Sequence, residues 1–362
     1  MVSPKSRSLV NFRGDLIREM AEKGHKVVAT GPEESYSNEI TALGARFIRL
    51  KMKKNRISII HDAVYFFRLV RLISAERPDI VFSYTIKPNI YAALAARTAG
   101  VKKIYPMVAG LGYIYTARSM TAAVLRPIAA MLFKLCFRIA ARVFFQNEGD
   151  MQEFVRRGYL PMEKCVLVNG SGVNLQRFAK LPFPGSFAFL MIARLLKSKG
   201  VMDYLEAARI VKQRFPNAAF LLVGAMEKIQ DSLKEQQIQP YIAQGIVTWY
   251  GETKDVRPFL ARCSVYVLPS WREGTPRTVL EAMASGRPII TTDVPGCRET
   301  VADGINGFLV PAENAAALAE KMIWMLEHTG AVYKMGEESL KLCRQKYDVR
   351  KVNRKIMETM GL

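Results

Sequence analysis

Apolar residues recur along the chain in two alternating rhythms. In "LVNFRGDLIREMAEKGHK" they return every three or four positions, the period of an amphipathic helix ending near Gly24. The next run, "KVVATG", is short and continuously apolar, as a strand buried on both faces must be. The alternation repeats: "IIHDAVYFFRLVRLISAERP" leads into "DIVFSY", and the helix "NIYAALAARTAG" leads into "KIYPMVAG". Such an order predicts a mostly parallel sheet with helices on both faces.

The start of this pattern is unusual, because only "MVSP" precedes the polar "KSRS". Either the first strand is very short or the chain begins later than a doubly wound domain usually does. Residues 120–145, "MTAAVLRPIAAMLFKLCFRIAARVFF", are apolar except for Arg126, Lys134, Arg138 and Arg142. The last three recur every four residues and predict a cationic helical stripe. Two roles fit it: an interfacial helix on an anionic membrane, or a covering helix with a solvated basic edge.

"VLVNGSGVNLQRFAKLPFPGS" is rich in Gly, Asn and Pro and marks a boundary. After it the alternation resumes, with strands at "FAFLMIARL", "AAFLLVG", "IVTWYG", "VYVLPS" and "RPIITT". Helices are expected through "VMDYLEAARIVKQRF", near 227–237 and through "DVRPFLARC". The expected organisation is a first domain over 1–168, a linker over 169–186, a second domain over 187–342 and a helical tail over 343–362. That tail is expected to return to the first domain.

Charge changes the picture. Residues 1–180 hold 29 Lys and Arg against 13 Asp and Glu, whereas residues 181–362 hold 24 against 19. The first half therefore favours an anionic partner: lipid headgroups, diphosphates or nucleic acid. Five dispersed cysteines suit neither a disulfide framework nor a zinc site and suggest a reducing compartment. The opening lacks the apolar run of a secretory signal, and no apolar stretch approaches the roughly 20 residues that span a bilayer. A cytoplasmic protein able to lie on a membrane is expected.

The densest chemistry lies in "SWREGTPRTVLEAMASGRPI". It follows a strand, so Glu273 belongs at the carboxyl edge of the second sheet, where open α/β folds bind ligands. Thr275 is expected to cap the next helix, with Pro276 in its first turn and Glu281 about one and a half turns in. Carboxylates accept hydrogen bonds from sugar hydroxyls, and the Gly274 and Thr275 amides can support a polar or anionic ligand. A hydrolase pair or two solvated glutamates fit the spacing as well. In "ARLLKSKG", Arg194 and Lys199 follow another strand of the same sheet. A guanidinium fork and an ammonium suit a diphosphate, although a solvated basic turn has the same sequence.

Taken with "LLVG", "WYG", "YVLPSWREGTPRTVLEAMASGRPIITTDVPGCRETV" and "DGINGFLVP", these stretches make nearly the whole chain resemble the retaining family 4 glycosyltransferases. The likeness is to bacterial enzymes that extend polyprenyl-diphosphate-linked saccharides of surface polysaccharides or glycoproteins. It implies a GT-B fold, two doubly wound Rossmann-like domains facing a central cleft. It further implies that Arg194 and Lys199 clamp the donor diphosphate, Glu273 reaches the sugar, and Glu281 receives the ribose hydroxyls. Gly274 and Thr275 offer amides, whereas Pro276 has none. Gly224 joins the nucleotide-binding set, and Tyr250 with Gly251 borders uracil. The implied donor is a UDP-sugar, with GDP as alternative nucleotide and N-acetylgalactosamine or galactose as best-fitting sugars. The acceptor is a polyprenyl-diphosphate saccharide at the anionic inner leaflet of the inner membrane.

On the acceptor side, "SLVNFR" and "VAGLGY" resemble acceptor and interdomain loops. Arg13 then meets a phosphate or faces its own helix, and Gly110 and Gly112 allow close backbone approach or simply turn. Glu148 in "FFQNEGD" contacts the acceptor, caps a helix or sits on the surface. One departure concerns the base: His25, His61 and His328 are the only histidines, and none follows "KIYPMVAG", where many relatives carry one. No D-x-D triplet or His/Cys cluster is present, so no metal is expected to be required. A basic nucleic-acid-binding protein is the rival from another class; it lacks a reading module or stacking platform. A catalytically silent sugar-nucleotide binder is the other.

Overall fold

The short apolar runs form parallel strands and the periodic segments form helices in a computed structural model that describes residues 1–52, 59–110, 120–227, 229 and 231–362. The chain divides into two units, Met1–Ser171 with Val349–Leu362, and Gly172–Asp348.

In the first unit the strands are β1 (Val27–Gly31), β2 (Ala45–Arg49), β3 (Ile80–Tyr84), β4 (Lys103–Val108), β5 (Val143–Phe145) and β6 (Cys165–Leu167). They form parallel ladders β1-β2 and β3-β4-β5-β6. Residues 1–3 join the two: Val2 bridges Thr30 on one side and Ser83 on the other. Its N–H donates to the Phe82 carbonyl at 2.9 Å, and that of Ser3 to the Thr30 carbonyl at 3.1 Å. The unusual opening is thus a strand stub at the centre of the sheet. Strand order reverses beside it, which places the crevice of this unit between the stub and β3.

Helices cover both faces. Ser6–Glu22 and Val349–Met360 bury Leu9, Leu16 and Ile17 with Val352, Ile356 and Met357 in one apolar cluster. Asn353 adds a 3.1 Å hydrogen bond to Glu19. The return segment therefore begins at Val349, later than the 343 expected from sequence. On the opposite face, Ile59–Glu76, Ile86–Thr98, Met120–Ile139 and Glu148–Arg156 enclose Phe133, Phe137 and Phe154, whose rings meet at 5.3–5.8 Å.

The helix Met120–Ile139 ends before Arg142, so its outer face carries two of the three cations expected, Lys134 and Arg138. Ile128, Met131 and Leu135 lie exposed beside them. Among the described residues, no helix is long and apolar enough to cross a membrane.

The second unit has β7 (Ala188–Ile192), β8 (Ala219–Val223), β9 (Thr248–Trp249), β10 (Val265–Leu268), β11 (Ile289–Thr292) and β12 (Gly307–Val310). All pair in parallel in the order β12-β11-β10-β7-β8-β9. Here the order reverses between β7 and β10. Residues 172–186, expected as a linker, pack into this unit, with Val173 and Phe178 in its core. The wholly buried Arg287 holds them by donating to the carbonyls of Leu181 (3.4 Å) and Pro182 (2.7 Å), and also to that of Leu260 (3.2 Å). The helix expected near 227–237 is found at Glu235–Ala243, where the Gln237 side chain accepts the Lys234 N–H at 2.9 Å and fixes the start.

Candidate active site

The β7/β10 switch point is flanked by the loops that leave both strands. After β7, Arg194 lies exposed and donates to Glu227 at 2.8 Å. The chain then makes a 3₁₀ turn over Lys197–Lys199 and enters the helix Val201–Arg214 through Gly200. Gly200 has φ 68° and sits so close to the end of β10 that a Cβ would lie 1.9 Å from the Pro269 carbonyl oxygen. Only glycine fits there, and the fit holds the turn bearing Lys199 against the end of β10. Asp231 holds the turn from the far side, accepting the Lys197 N–H with its carbonyl at 2.9 Å and the Ser198 hydroxyl with its carboxylate.

From β10 the chain runs through Ser270 and Trp271, whose N–H donates to the Ser198 carbonyl at 2.9 Å. Glu273 follows and pairs with Lys199; their side chains are 14% and 20% exposed. The ion pair is shielded enough to hold its geometry while remaining open to a ligand. The helix starts one residue later than expected: Pro276 occupies the cap position in extended geometry, and Arg277–Ala284 are helical. Thr275 therefore is not the cap residue.

Glu281, in that helix, is 8% exposed. Burial pushes its carboxyl above the usual range, opposed by Arg277, whose Nε donates to Glu281 Oε1 at 2.9 Å, and by Arg177. Beneath the same corner, burial and then the Glu273 charge push the Cys297 thiol up to about 12. It is no nucleophile at neutral pH.

Farther along the edge, Gly224 N–H donates to the Gly251 carbonyl at 2.7 Å, and the Trp249 indole N–H to the Gly224 carbonyl at 3.0 Å. Tyr250 is exposed, packed edge-on against Phe259, and its hydroxyl accepts from Arg262 at 2.9 Å. Sequence reasoning missed Arg277, although its i,i+4 spacing to Glu281 was visible. It also missed Glu227 and Asp231, which lie 33 residues from Arg194 and Ser198 and carry no local signal.

The first unit answers the expectations differently. Arg13 is 2% exposed: its Nη2 donates to the Met107 sulfur at 2.6 Å, and its guanidinium lies 5.4 Å from the Tyr84 ring centroid. Of the two roles open to Arg13, this burial fits the helix-facing one. Gly110 has φ 116° just beyond β4, while Gly112 falls outside the described residues. Glu148 is exposed at the first position of its helix and accepts from Gln152 at 2.8 Å; the cap itself is Asn147. His61 lies in the helix Ile59–Glu76. Unforeseen was the pair Lys87–Asp62, at 2.7 Å and mostly buried beside the β3 edge.

Two doubly wound parallel sheets in one chain, the second with charged side chains gathered at its switch point, define a GT-B protein. Residues 11–170 match the model "Glycosyl transferase 4-like domain", and residues 186–328 match "Glycosyl transferases group 1". The chain belongs to the family 4 glycosyltransferases. It is 28% identical, over 90% of its length and 88% of the relative's, to the Campylobacter jejuni N,N'-diacetylbacillosaminyl-diphospho-undecaprenol alpha-1,3-N-acetylgalactosaminyltransferase. An Escherichia coli UDP-Gal:alpha-D-GlcNAc-diphosphoundecaprenol alpha-1,3-galactosyltransferase is 29% identical over 70% of this chain and 68% of its own. Among solved structures, Anabaena HepE in complex with UDP superposes with a TM-score of 0.81 at 19% identity, covering 99% of this chain and 98% of that one, a likeness of fold.

Proposed function

We propose that this glycosyltransferase moves a hexose or N-acetylhexosamine, best N-acetylgalactosamine or galactose, from a UDP-sugar to a polyprenyl-diphosphate-linked saccharide with retention of configuration. The observation that carries the proposal is the Lys199–Glu273 pair across the β7/β10 switch point, with Arg194 and Glu281 on the same edge. The names of the C. jejuni and E. coli relatives support the sugar and acceptor classes.

In this account Arg194 exchanges Glu227 for the donor diphosphate, and Lys199 shares it, so both cations meet the negative charge that grows as the glycosidic bond breaks. Glu273 accepts from sugar hydroxyls, the Gly274 and Thr275 amides add donors, and Glu281 accepts from the ribose. Gly224, Tyr250 and Gly251 border the base. The acceptor hydroxyl attacks on the face the diphosphate leaves, and its proton passes to the leaving phosphate oxygen. Glu148 and Gly110, at the carboxyl edge of the first sheet, approach the acceptor. Lys134 and Arg138, beside exposed Ile128, Met131 and Leu135, rest on the anionic cytoplasmic leaflet.

A panel of UDP- and GDP-sugars assayed against short polyprenyl-diphosphate glycans tests the proposal. Transfer from UDP-N-acetylgalactosamine or UDP-galactose, undiminished by chelator, is expected. Binding of UDP-sugars without turnover of any donor would instead identify a silent binder, and loss with chelator restored by magnesium would overturn the metal-free mechanism.

A further inference from the structure

The loop that leaves β11 touches the segment bearing Glu273, and a turn far along the chain holds that loop. Gly296 has φ 88°, and a Cβ on it would lie 2.2 Å from the Glu273 carbonyl oxygen and 2.7 Å from that of Gly274. Its backbone rests directly on theirs. The neighbouring Pro295 carbonyl accepts the Glu273 N–H at 3.3 Å. Gly296 is in turn held by Glu299, whose Oε2 accepts the Gly296 N–H at 2.7 Å.

Glu299 is itself fixed by the π-helical turn Cys343–Tyr347. The Tyr347 hydroxyl and the Lys346 ammonium, the latter at 3.0 Å, both donate to the Glu299 carbonyl. Tyr347 is 1% exposed, and its own carbonyl accepts the Val173 N–H at 2.8 Å. A continuous series of contacts therefore runs from 346–347 through Glu299 and Gly296 to Glu273. Every link is a backbone group or a partly shielded side chain, so displacement at one end has little slack to absorb it.

We propose that Glu299 is a positioning residue for the donor-sugar end of the site, holding the Gly296 backbone against Glu273–Gly274 while Tyr347 and Lys346 hold Glu299. Its catalytic consequence rests on the assignment of Glu273 to the sugar; its structural consequence does not. Glu299 acts through backbone placement and touches no reacting atom.

Amide hydrogen exchange on the full chain separates these consequences. Glu299→Ala removes the acceptor for Gly296 and is expected to speed exchange across residues 271–276 by about tenfold or more while the strand β7 keeps its protection. Glu299→Gln retains an oxygen in place and is expected to restore most of it. With UDP-N-acetylgalactosamine as probe, Glu299→Ala should lower kcat by roughly tenfold to a hundredfold, as a displaced contact does, and leave UDP affinity within about twofold. Lys346→Met with Tyr347→Phe, which frees the Glu299 carbonyl, should loosen the same residues less.

Unchanged exchange at 271–276, or equal acceleration throughout the second unit, overturns the positioning role, as does a Glu299→Gln variant no better than Glu299→Ala. Should exchange respond as expected while Glu273→Gln retains wild-type transfer, the sugar assignment of Glu273 fails and the positioning by Glu299 stands.

Discussion

The carboxyl edges of the two sheets are built from the same topology and used differently. In the second unit, charged side chains stand partly open at the switch point, Arg194 with Glu227 and Lys199 with Glu273, and only Glu281 with Arg277 is as deeply set as the pairs of the first unit. In the first, the charges near the edge are drawn inward, Arg13 against Met107 and Tyr84, Asp62 against Lys87. The first unit's excess of cations is displayed instead on outer helical faces such as that of Lys134 and Arg138. A doubly wound fold thus supplies a crevice, whereas ligand chemistry depends on which loops keep polar groups half-buried rather than swallowing them.

The sharpest attempt to break this contrast is Glu273→Gln. Removing the charge proposed to meet the sugar should reduce transfer by about 10²–10³-fold while UDP affinity changes less than about threefold. Steady-state rates beside calorimetric UDP titrations check it, and equal losses in both would erase the division between Glu273 and Glu281.

Next in size is Arg277→Leu. Because burial raises the Glu281 carboxyl, the folded state holds that proton more tightly than the unfolded chain. Stability from this group is therefore full below the ordinary glutamate range and lost as pH rises through the raised folded value. Arg277, helped by Arg177 and opposed by Asp255, limits the loss. Its removal should cost about 3 kcal/mol at pH 8 and distinctly less at pH 5, by denaturant titration at both. A cost independent of pH would show that Arg277 serves packing alone.

Glu281→Gln should weaken UDP binding by roughly tenfold to a hundredfold, the value of hydrogen bonds to a charged acceptor, and slow transfer at saturating donor far less. The smallest effect belongs to the first unit. Lys134→Gln with Arg138→Gln should lower sedimentation with phosphatidylglycerol vesicles by about tenfold and leave UDP affinity unchanged. Equal binding to neutral and anionic vesicles by the wild-type protein would remove the surface role.

How much of this could be read beforehand follows the same divide. The strands of the second unit are continuous apolar runs because helices cover both faces, and its charged residues sit beside Gly and Pro turns, so both were visible. For Arg13 the sequence leaves two roles open, and the helical arithmetic favours the inward one: Leu9, Arg13, Leu16, Ile17 and Met20 fall on one stripe, and that stripe is the buried one. Thr275 was placed as a cap because Thr is a good one; the chain instead begins its helix after Pro276. Long-range partners such as Asp231 for Ser198, or Asp62 for Lys87, have no signature in local spacing.

The interleaving of the units along the chain has a consequence for biosynthesis. Residues Gly172–Asp348 can gather their core as soon as they emerge, since all its members lie within that span. The first unit cannot, although its strands are made first: its core includes Val352, Ile356 and Met357. On a ribosome it must wait, with part of that core uncovered, until the helix Val349–Met360 has been translated and has docked. The first unit thus completes its core only after the second unit has been made, and slow translation of residues 349–360 would prolong its exposure to chaperones and proteases.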